Sequence, residues 1–75
     1  MNVVGYIEKQ INEWIVSGVL LSLKILKQRG ESMSMHGRIL SYEPSLGTIL
    51  LYEDDRKKVE NITIYEIENM EPALR

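Results

Sequence analysis

The apolar residues change their spacing at Gly18, and this change constrains the fold more than any other feature of the chain. Before Gly18 they recur every three or four residues, as on one face of a helix. The members of this stripe are Val4, Ile7, Ile11, Trp14 and Ile15. After Gly18, VLLSLKIL over residues 19–26 alternates in steps of two, which is the pattern of a strand. The chain is therefore predicted to start with a helix over residues 2–17 and to continue as strands.

Strand patterns fill the rest of the chain and are separated by short polar turns. They predict strands at about 19–27, 32–43, 48–54, 58–64 and 67–71. Pro44 and Gly47 mark the turn between the second and third strands. Gly37 lies inside the long second strand, where a glycine indicates a bulge, a bend or a close approach of another backbone. Ile67 breaks the two-residue spacing, which predicts a single helical turn near residues 65–67.

One helix followed by five short antiparallel strands predicts a single, mainly β domain that spans residues 1–75. This order is typical of a strongly bent small barrel of the Sm-like or Src-homology-3-like kind. The same periodicity also allows an open meander with the helix across one face. We favour the barrel, because a glycine inside a long strand permits the bending by which small barrels close.

The short chain limits the core that this domain can build. A domain of this size buries only about 60% of the surface that its unfolded chain exposes. Small domains therefore often need a disulfide, a metal or a partner chain. The chain has no cysteine and a single histidine, His36, so disulfides and structural zinc sites are excluded. We expect the remaining stability to come from a homodimer or higher homo-oligomer, or from a helix packed closely on the sheet.

Charge and hydropathy narrow the class of protein. Nine basic against eleven acidic residues lack the basic excess of a protein whose affinity comes mainly from phosphates. No apolar run approaches the roughly 20 residues that span a bilayer, so no membrane partner is expected. The first ten residues, MNVVGYIEKQ, have no basic start and no small-residue cleavage site of a signal peptide. Together with the absence of cysteine, these features predict a cytoplasmic protein.

No arrangement of residues in the sequence predicts catalysis. His36 has no serine or acid near it in a pattern that would make it a base, and we interpret it as a half-exposed strand residue. Glu53, Asp54 and Asp55 are followed at once by three basic residues, which indicates a solvated turn with opposed charges. The five glycines are isolated, so no phosphate-binding loop is present. We therefore predict a protein that is not an enzyme and uses no metal or cofactor.

Surplus apolar side chains favour a protein-interaction module as the leading hypothesis. Trp14 lies on the helical stripe, and tryptophan is enriched at binding hot spots. Leu20 and Leu26 give the second face of the first strand an apolar character that another element or another chain must cover. We predict that these three residues mediate self-association or contact with a protein partner.

A weak nucleic-acid binder, of RNA or single-stranded DNA, is the alternative hypothesis. Lys24, Lys27 and Arg29 surround the loop between the first two predicted strands, and Arg38 lies on the second. Tyr42 could offer a ring on which a base stacks. This hypothesis predicts an affinity that falls steeply with salt concentration.

The stretch HGRILSYEPSLGTILLYEDD, followed by ENITIYEIENME, resembles the C-terminal half of the YolD-like family of bacilli and their phages. The preceding helix and VLLSLKIL fit the same layout, so the resemblance extends over roughly residues 3–71. The matching residues are Gly37, Ile39, Tyr42, Glu43, Pro44, Ile49, Leu51, Ile62, Ile64 and Ile67. The resemblance implies an Sm-like small barrel and a small non-enzymatic accessory protein, of a family often encoded near Y-family DNA polymerases.

The sequence departs from its two related patterns at defined places. YolD-like proteins commonly begin with a longer basic segment, which is absent here. Sm-like RNA binders carry an Asp-x-apolar-Asn signature after the second strand and a basic residue before the last strand. These places hold residues 44–47, Pro-Ser-Leu-Gly, and residues 65–66, Tyr-Glu. The RNA pocket of ring-forming Sm-like proteins is therefore not carried over to this chain.

Overall fold

The computed structural model describes residues 3–27 and 29–73, with side chains from residue 7 onward. Its elements are α1 (Val3–Ser17), β1 (Leu21–Leu26), β2 (Ser32–Glu43), β3 (Thr48–Glu53), β4 (Lys58–Thr63), a 3-10 turn (Ile64–Glu66) and β5 (Ile67–Pro72). The predicted helix start at Asn2, and the side chain of Val4 in the predicted stripe, lie outside the described residues. The predicted helical turn is present one residue earlier than expected.

The five strands form one antiparallel sheet in the order β4-β3-β2-β1-β5. This confirms the predicted fold class, which is mainly β with one N-terminal helix and a compact, barrel-like arrangement. In the part of the chain that the structure describes, no ladder joins β4 to β5, so the sheet remains open there. The fold therefore has two edge strands, β4 and β5, joined by the 3-10 turn.

The core lies between α1 and the inner face of the sheet. Its buried members are Ile11, Leu21, Leu23, Ile25, Met35, Ile39, Ile49, Leu51 and Ile62. Burial of a side chain of this size stabilises the fold by roughly 1.5–3 kcal/mol relative to exposure. Ile11, at the centre of the predicted helical stripe, is fully buried, while Ile7, Trp14 and Ile15 pack at its margin. The strand β1 begins at Leu21, two residues after the predicted start.

Gly37 allows β2 and β3 to pack closely. It lies opposite Glu53 in the β2–β3 ladder and opposite Leu21 in the β1–β2 ladder. A Cβ atom at Gly37 would overlap the carbonyl oxygen of Tyr52 and would lie 2.9 Å from Leu51 Cγ. The close backbone approach that a strand glycine indicates is therefore found here. A bulge at Leu40 follows, where the ladder passes from Ile39 to Ser41.

The turns follow from residues that tolerate a left-handed backbone or supply a stable bend. The β2–β3 turn ends at Gly47, whose φ is +64° and whose N–H bonds to the Glu43 carbonyl at 2.9 Å. The β3–β4 turn contains Lys57 at φ +55°. Among the described residues, Lys57 is the one residue other than glycine that has a positive φ. None of the helical residues within the described ranges forms a segment long and apolar enough to cross a membrane.

Candidate interaction groove

An open groove lies between α1 and the β5 end of the sheet, with a volume of about 260 Å³. Its lining residues are Ile7, Gln10, Trp14, Ile64, Ile67, Glu68, Asn69 and Met70. Five of these eight are apolar, and Trp14 is the largest of them. The helical spacing that buries Ile11 also brings Trp14 to this margin of the helix, where it is half-buried. We call this surface the Trp14 groove.

The rim of the Trp14 groove is polar. Gln10 Nε2 donates a hydrogen bond to Glu13 Oε2 at 3.3 Å on the helix side. On the sheet side, Glu68 Oε2 lies 3.8 Å from Lys24 Nζ, and both side chains are about half exposed. Glu68 is the one acidic residue among the described lining residues, and Lys24 already lies beside it, as Lys27 lies beside Glu66. An apolar floor with a charge-balanced rim matches an apolar protein segment.

A hydrogen bond between Tyr42 and Glu8 fastens α1 to β2. The Tyr42 hydroxyl donates to Glu8 Oε2 at 3.4 Å. Burial raises the pKa of Tyr42, and the adjacent negative charge and hydrogen bond of Glu8 raise it further. The phenol therefore stays protonated and keeps its role as donor at neutral pH.

The 3-10 turn places Ile64 and Ile67 in the groove, and Glu66 stabilises this turn. Glu66 Oε1 accepts hydrogen bonds from the Thr63 backbone N–H at 3.3 Å and from the Thr63 hydroxyl at 3.1 Å. Lys27 Nζ lies 3.5 Å from the other carboxylate oxygen. These two hydrogen bonds lower the pKa of Glu66, and the one from the Thr63 backbone has the larger effect. The nearby charge of Lys27 lowers this pKa further.

The structure places the three predicted contact residues on different surfaces. Trp14 lines the groove. Leu26 is 45% exposed at the end of β1, on the outer face of the sheet and opposite Ser32. Leu20 is half-buried before β1, and its carbonyl accepts a hydrogen bond from the Ala73 N–H at 2.9 Å. Only Trp14 therefore belongs to the groove.

The predicted nucleic-acid contacts do not form one basic surface. The side chains of Lys24, Lys27 and Arg38 each lie beside a carboxylate, that of Glu68, Glu66 and Asp54 respectively. Arg29 is exposed in the loop after β1. Tyr42 lies under α1 on the inner face of the sheet, whereas Arg38 lies on the outer face. The five residues thus occupy at least two separate faces.

Glu53 corrects the prediction of a fully solvated turn at residues 53–55. It is 2% exposed, and its Oε2 accepts a hydrogen bond from the Arg56 backbone N–H at 2.7 Å. Asp55 is exposed as predicted, and its Oδ2 lies 3.4 Å from His36 Nδ1. Sequence reasoning missed the burial of Glu53. The available signal was its strand parity, since it continues the inward pattern of Ile49 and Leu51.

Comparisons with known proteins support the fold. The sequence matches no protein-family model and no curated protein. Among solved structures, the chain is similar to proteasome accessory factor B/C (PafBC) of Arthrobacter aurescens, with a TM-score of 0.80 and 22% sequence identity. The match covers 100% of this chain and 12% of the PafBC chain. At this identity the likeness establishes a shared fold, and this chain corresponds to a small part of the PafBC chain.

Proposed function

We propose that this protein is a non-enzymatic, cytoplasmic accessory or regulatory protein that acts as a protein-interaction module and forms a homodimer. The observation that carries the proposal is the Trp14 groove, which leaves a tryptophan and four other apolar side chains open to a partner. Aromatic residues in such pockets supply much of the binding energy at protein interfaces. The partner we propose is a protein segment whose apolar side chains pack on Trp14 and Met70.

The resemblance to YolD-like proteins supports an accessory role. Several of its matching residues lie in the core, namely Ile39, Ile49, Leu51 and Ile62. Gly37, another matching residue, is required by the close packing of β2 on β3. We propose that the chain is a YolD-like protein and that its partner belongs to the same setting as Y-family DNA polymerases.

A site-specific crosslinking experiment tests the interaction groove. A photo-reactive amino acid at Gln10 lies in the groove, whereas the same probe at Asn12 lies on the outer side of α1 and serves as the matched control. We expect a discrete protein adduct from position 10 that disappears when Met70→Lys places a charge on the groove floor. Equal adducts from both positions, or adducts that survive Met70→Lys, would contradict the proposal.

Retention of the natural protein on immobilised nucleic acid tests the alternative function. We expect no salt-sensitive retention on single-stranded DNA or RNA at low ionic strength, because three of the basic side chains already lie beside carboxylates. Retention that is lost in Arg38→Ala and in Lys24→Ala would support the alternative function in place of the interaction module.

A further inference from the structure

Of the two edge strands, β4 has the more regular free edge. The β3–β4 ladder is regular over all six residues, from Thr48 opposite Thr63 to Glu53 opposite Lys58. The other edge, β5, has a bulge at Glu68 and ends at Pro72, which has no N–H. Bulges and prolines are devices by which proteins block unwanted strand pairing. β5 carries both of these devices and β4 carries neither; β4 instead carries the charged side chains of Lys58 and Glu60, which oppose pairing with most strands.

The hydrogen-bonding pattern shows which groups of β4 face the free edge. The Ile64 N–H bonds to the Gly47 carbonyl at 2.8 Å, so Thr63 and Thr48 form a non-hydrogen-bonded pair. Because pair types alternate along an antiparallel ladder, Val59 and Asn61 also direct their N–H and C=O groups away from β3. Among the described residues, no loop or side chain bonds to these two N–H groups. They are available to another strand.

The charges of β4 are complementary to a second copy of the same strand. The side chains of Lys58 and Glu60 share one face and flank Val59, with Lys58 Nζ 2.9 Å from Glu60 Oε1. Two β4 strands that pair antiparallel about Val59 place each Lys58 opposite Glu60 of the second copy. A pairing centred on Glu60 would oppose two carboxylates. A pairing centred on Asn61 would need the Thr63 N–H, which already bonds to Glu66.

We propose that β4 pairs with β4 of a second copy about a two-fold axis at Val59, which makes one continuous ten-stranded sheet in the homodimer. Val59 is 53% exposed and lies opposite Tyr52 on the outer face. The pairing brings the two Val59 side chains together between the two Tyr52 rings, and aromatic and β-branched neighbours of this kind stabilise sheets. This inference rests on the homodimer of the proposed function and specifies its interface.

A cysteine at position 59 tests the position of the axis. The natural chain has no cysteine, so Val59→Cys forms a disulfide dimer only where two copies meet at this residue. Residues in a hydrogen-bonded antiparallel pair have Cα atoms about 5.5 Å apart, which a disulfide can bridge. Because the Cβ atoms of such a pair lie at the wide end of the range found in sheets, we expect clear crosslinking under mild oxidation together with a short bifunctional thiol reagent. Val16→Cys, at a position on α1 that is 88% exposed against 53% for Val59, should crosslink far less despite its greater exposure.

Charge exchange tests the register. Lys58→Glu or Glu60→Lys alone opposes like charges twice per dimer, and we expect each to weaken dimerisation about thirtyfold by analytical ultracentrifugation. The double variant Lys58→Glu/Glu60→Lys restores both pairs and should return the dissociation constant to within about threefold of the natural value. Lys57→Glu, with the same charge change outside the Lys58–Glu60 pairs, is the matched control. The double variant also restores the Lys58–Glu60 pair within each strand, so a mixture of the two single variants is measured as well. Each single variant keeps like charges within its own strand, whereas a heterodimer of the two opposes unlike charges at both positions. Tight association of the mixture is therefore expected only from pairing between copies.

The outcomes separate this inference from the proposed function. A natural protein that stays monomeric at high concentration would overturn both the homodimer and this interface. A dimer in which Val59→Cys does not crosslink, or in which the double variant is as weak as the single ones, would overturn the β4 interface and leave the homodimer in place. The groove crosslinking at position 10 is independent of both results.

Discussion

At the scale of single residues, Gly37 has the least room for a side chain among the described glycines. A methyl group there would meet the Tyr52 carbonyl and the Leu51 side chain, and neither can withdraw without separating β2 from β3. We expect Gly37→Ala to lower the free energy of unfolding by about 2–3 kcal/mol. Urea denaturation measures this loss as a lower midpoint at an unchanged slope. Ser34→Ala, on an exposed position of the same strand, should change the stability by less than about 0.5 kcal/mol.

Glu66 makes the stability depend on pH in a direction that its hydrogen bonds determine. Its pKa is lowered in the folded protein, so the carboxylate form is favoured by folding. The contribution is therefore complete above the ordinary glutamate pKa of about 4.3 and is lost as the pH falls through the lower folded value. We expect Glu66→Gln to be less stable than the natural protein by about 1 kcal/mol at pH 7. The difference should shrink below about pH 4, as measured by urea midpoints across this range. A difference that stays constant from pH 7 to pH 3 would contradict this assignment.

At the scale of elements, the β3–β4 turn depends on the buried carboxylate of Glu53. Glu53→Ala would remove the acceptor of the Arg56 N–H and leave a void where the buried Glu53 side chain packs, and we expect a loss of about 2 kcal/mol. Glu53→Gln keeps an acceptor oxygen and should lose clearly less. Thermal unfolding of both variants at pH 7 measures the two losses. Equal losses would show that the charge of Glu53, rather than its hydrogen bond, supports the turn.

The elements also show how far the sequence could predict this fold. The change of spacing at Gly18, the turn residues Pro44 and Gly47, and the inward alternation of Ile49 and Leu51 are local signals, and they placed the helix and the strands. The bulges at Leu40 and Glu68 depend on the partner strand, which no local pattern shows. For the same reason, the sequence did not reveal that the sheet stays open between β4 and β5.

The Trp14 groove could likewise be predicted from the sequence only in part. Trp14 was predicted as a contact residue because it is a large aromatic residue on a small amphipathic helix. Its neighbours Ile64 and Met70 come from the far end of the chain, and only the 3-10 turn held by Glu66 brings them beside the helix. Composition likewise could not show that Lys24 and Arg38 lie beside carboxylates, since that depends on which strands are adjacent.

At the scale of the whole molecule, the open edge of β4 and the small core both limit the stability of a single copy. The described fold buries nine apolar side chains, which is a small core, while β4 exposes unpaired backbone groups. Pairing of two β4 strands satisfies these groups and extends the sheet without a larger core. Stability is then shared between folding and association, and it must depend on protein concentration.

This coupling predicts a melting temperature that rises with concentration. While the dimer is fully formed, each tenfold rise in protein concentration should raise the midpoint by roughly 3–6 °C, because it favours the associated state by about 1.4 kcal/mol. Calorimetry from 10 to 1000 µM, a range chosen on the order of typical weak dimer affinities, measures the slope. Lys58→Glu, whose dimer we expect to be about thirtyfold weaker, should show this rise only from concentrations about thirtyfold higher, and the double variant with Glu60→Lys should regain the natural slope. A slope that Lys58→Glu leaves intact would mean that the two copies associate through a surface other than β4.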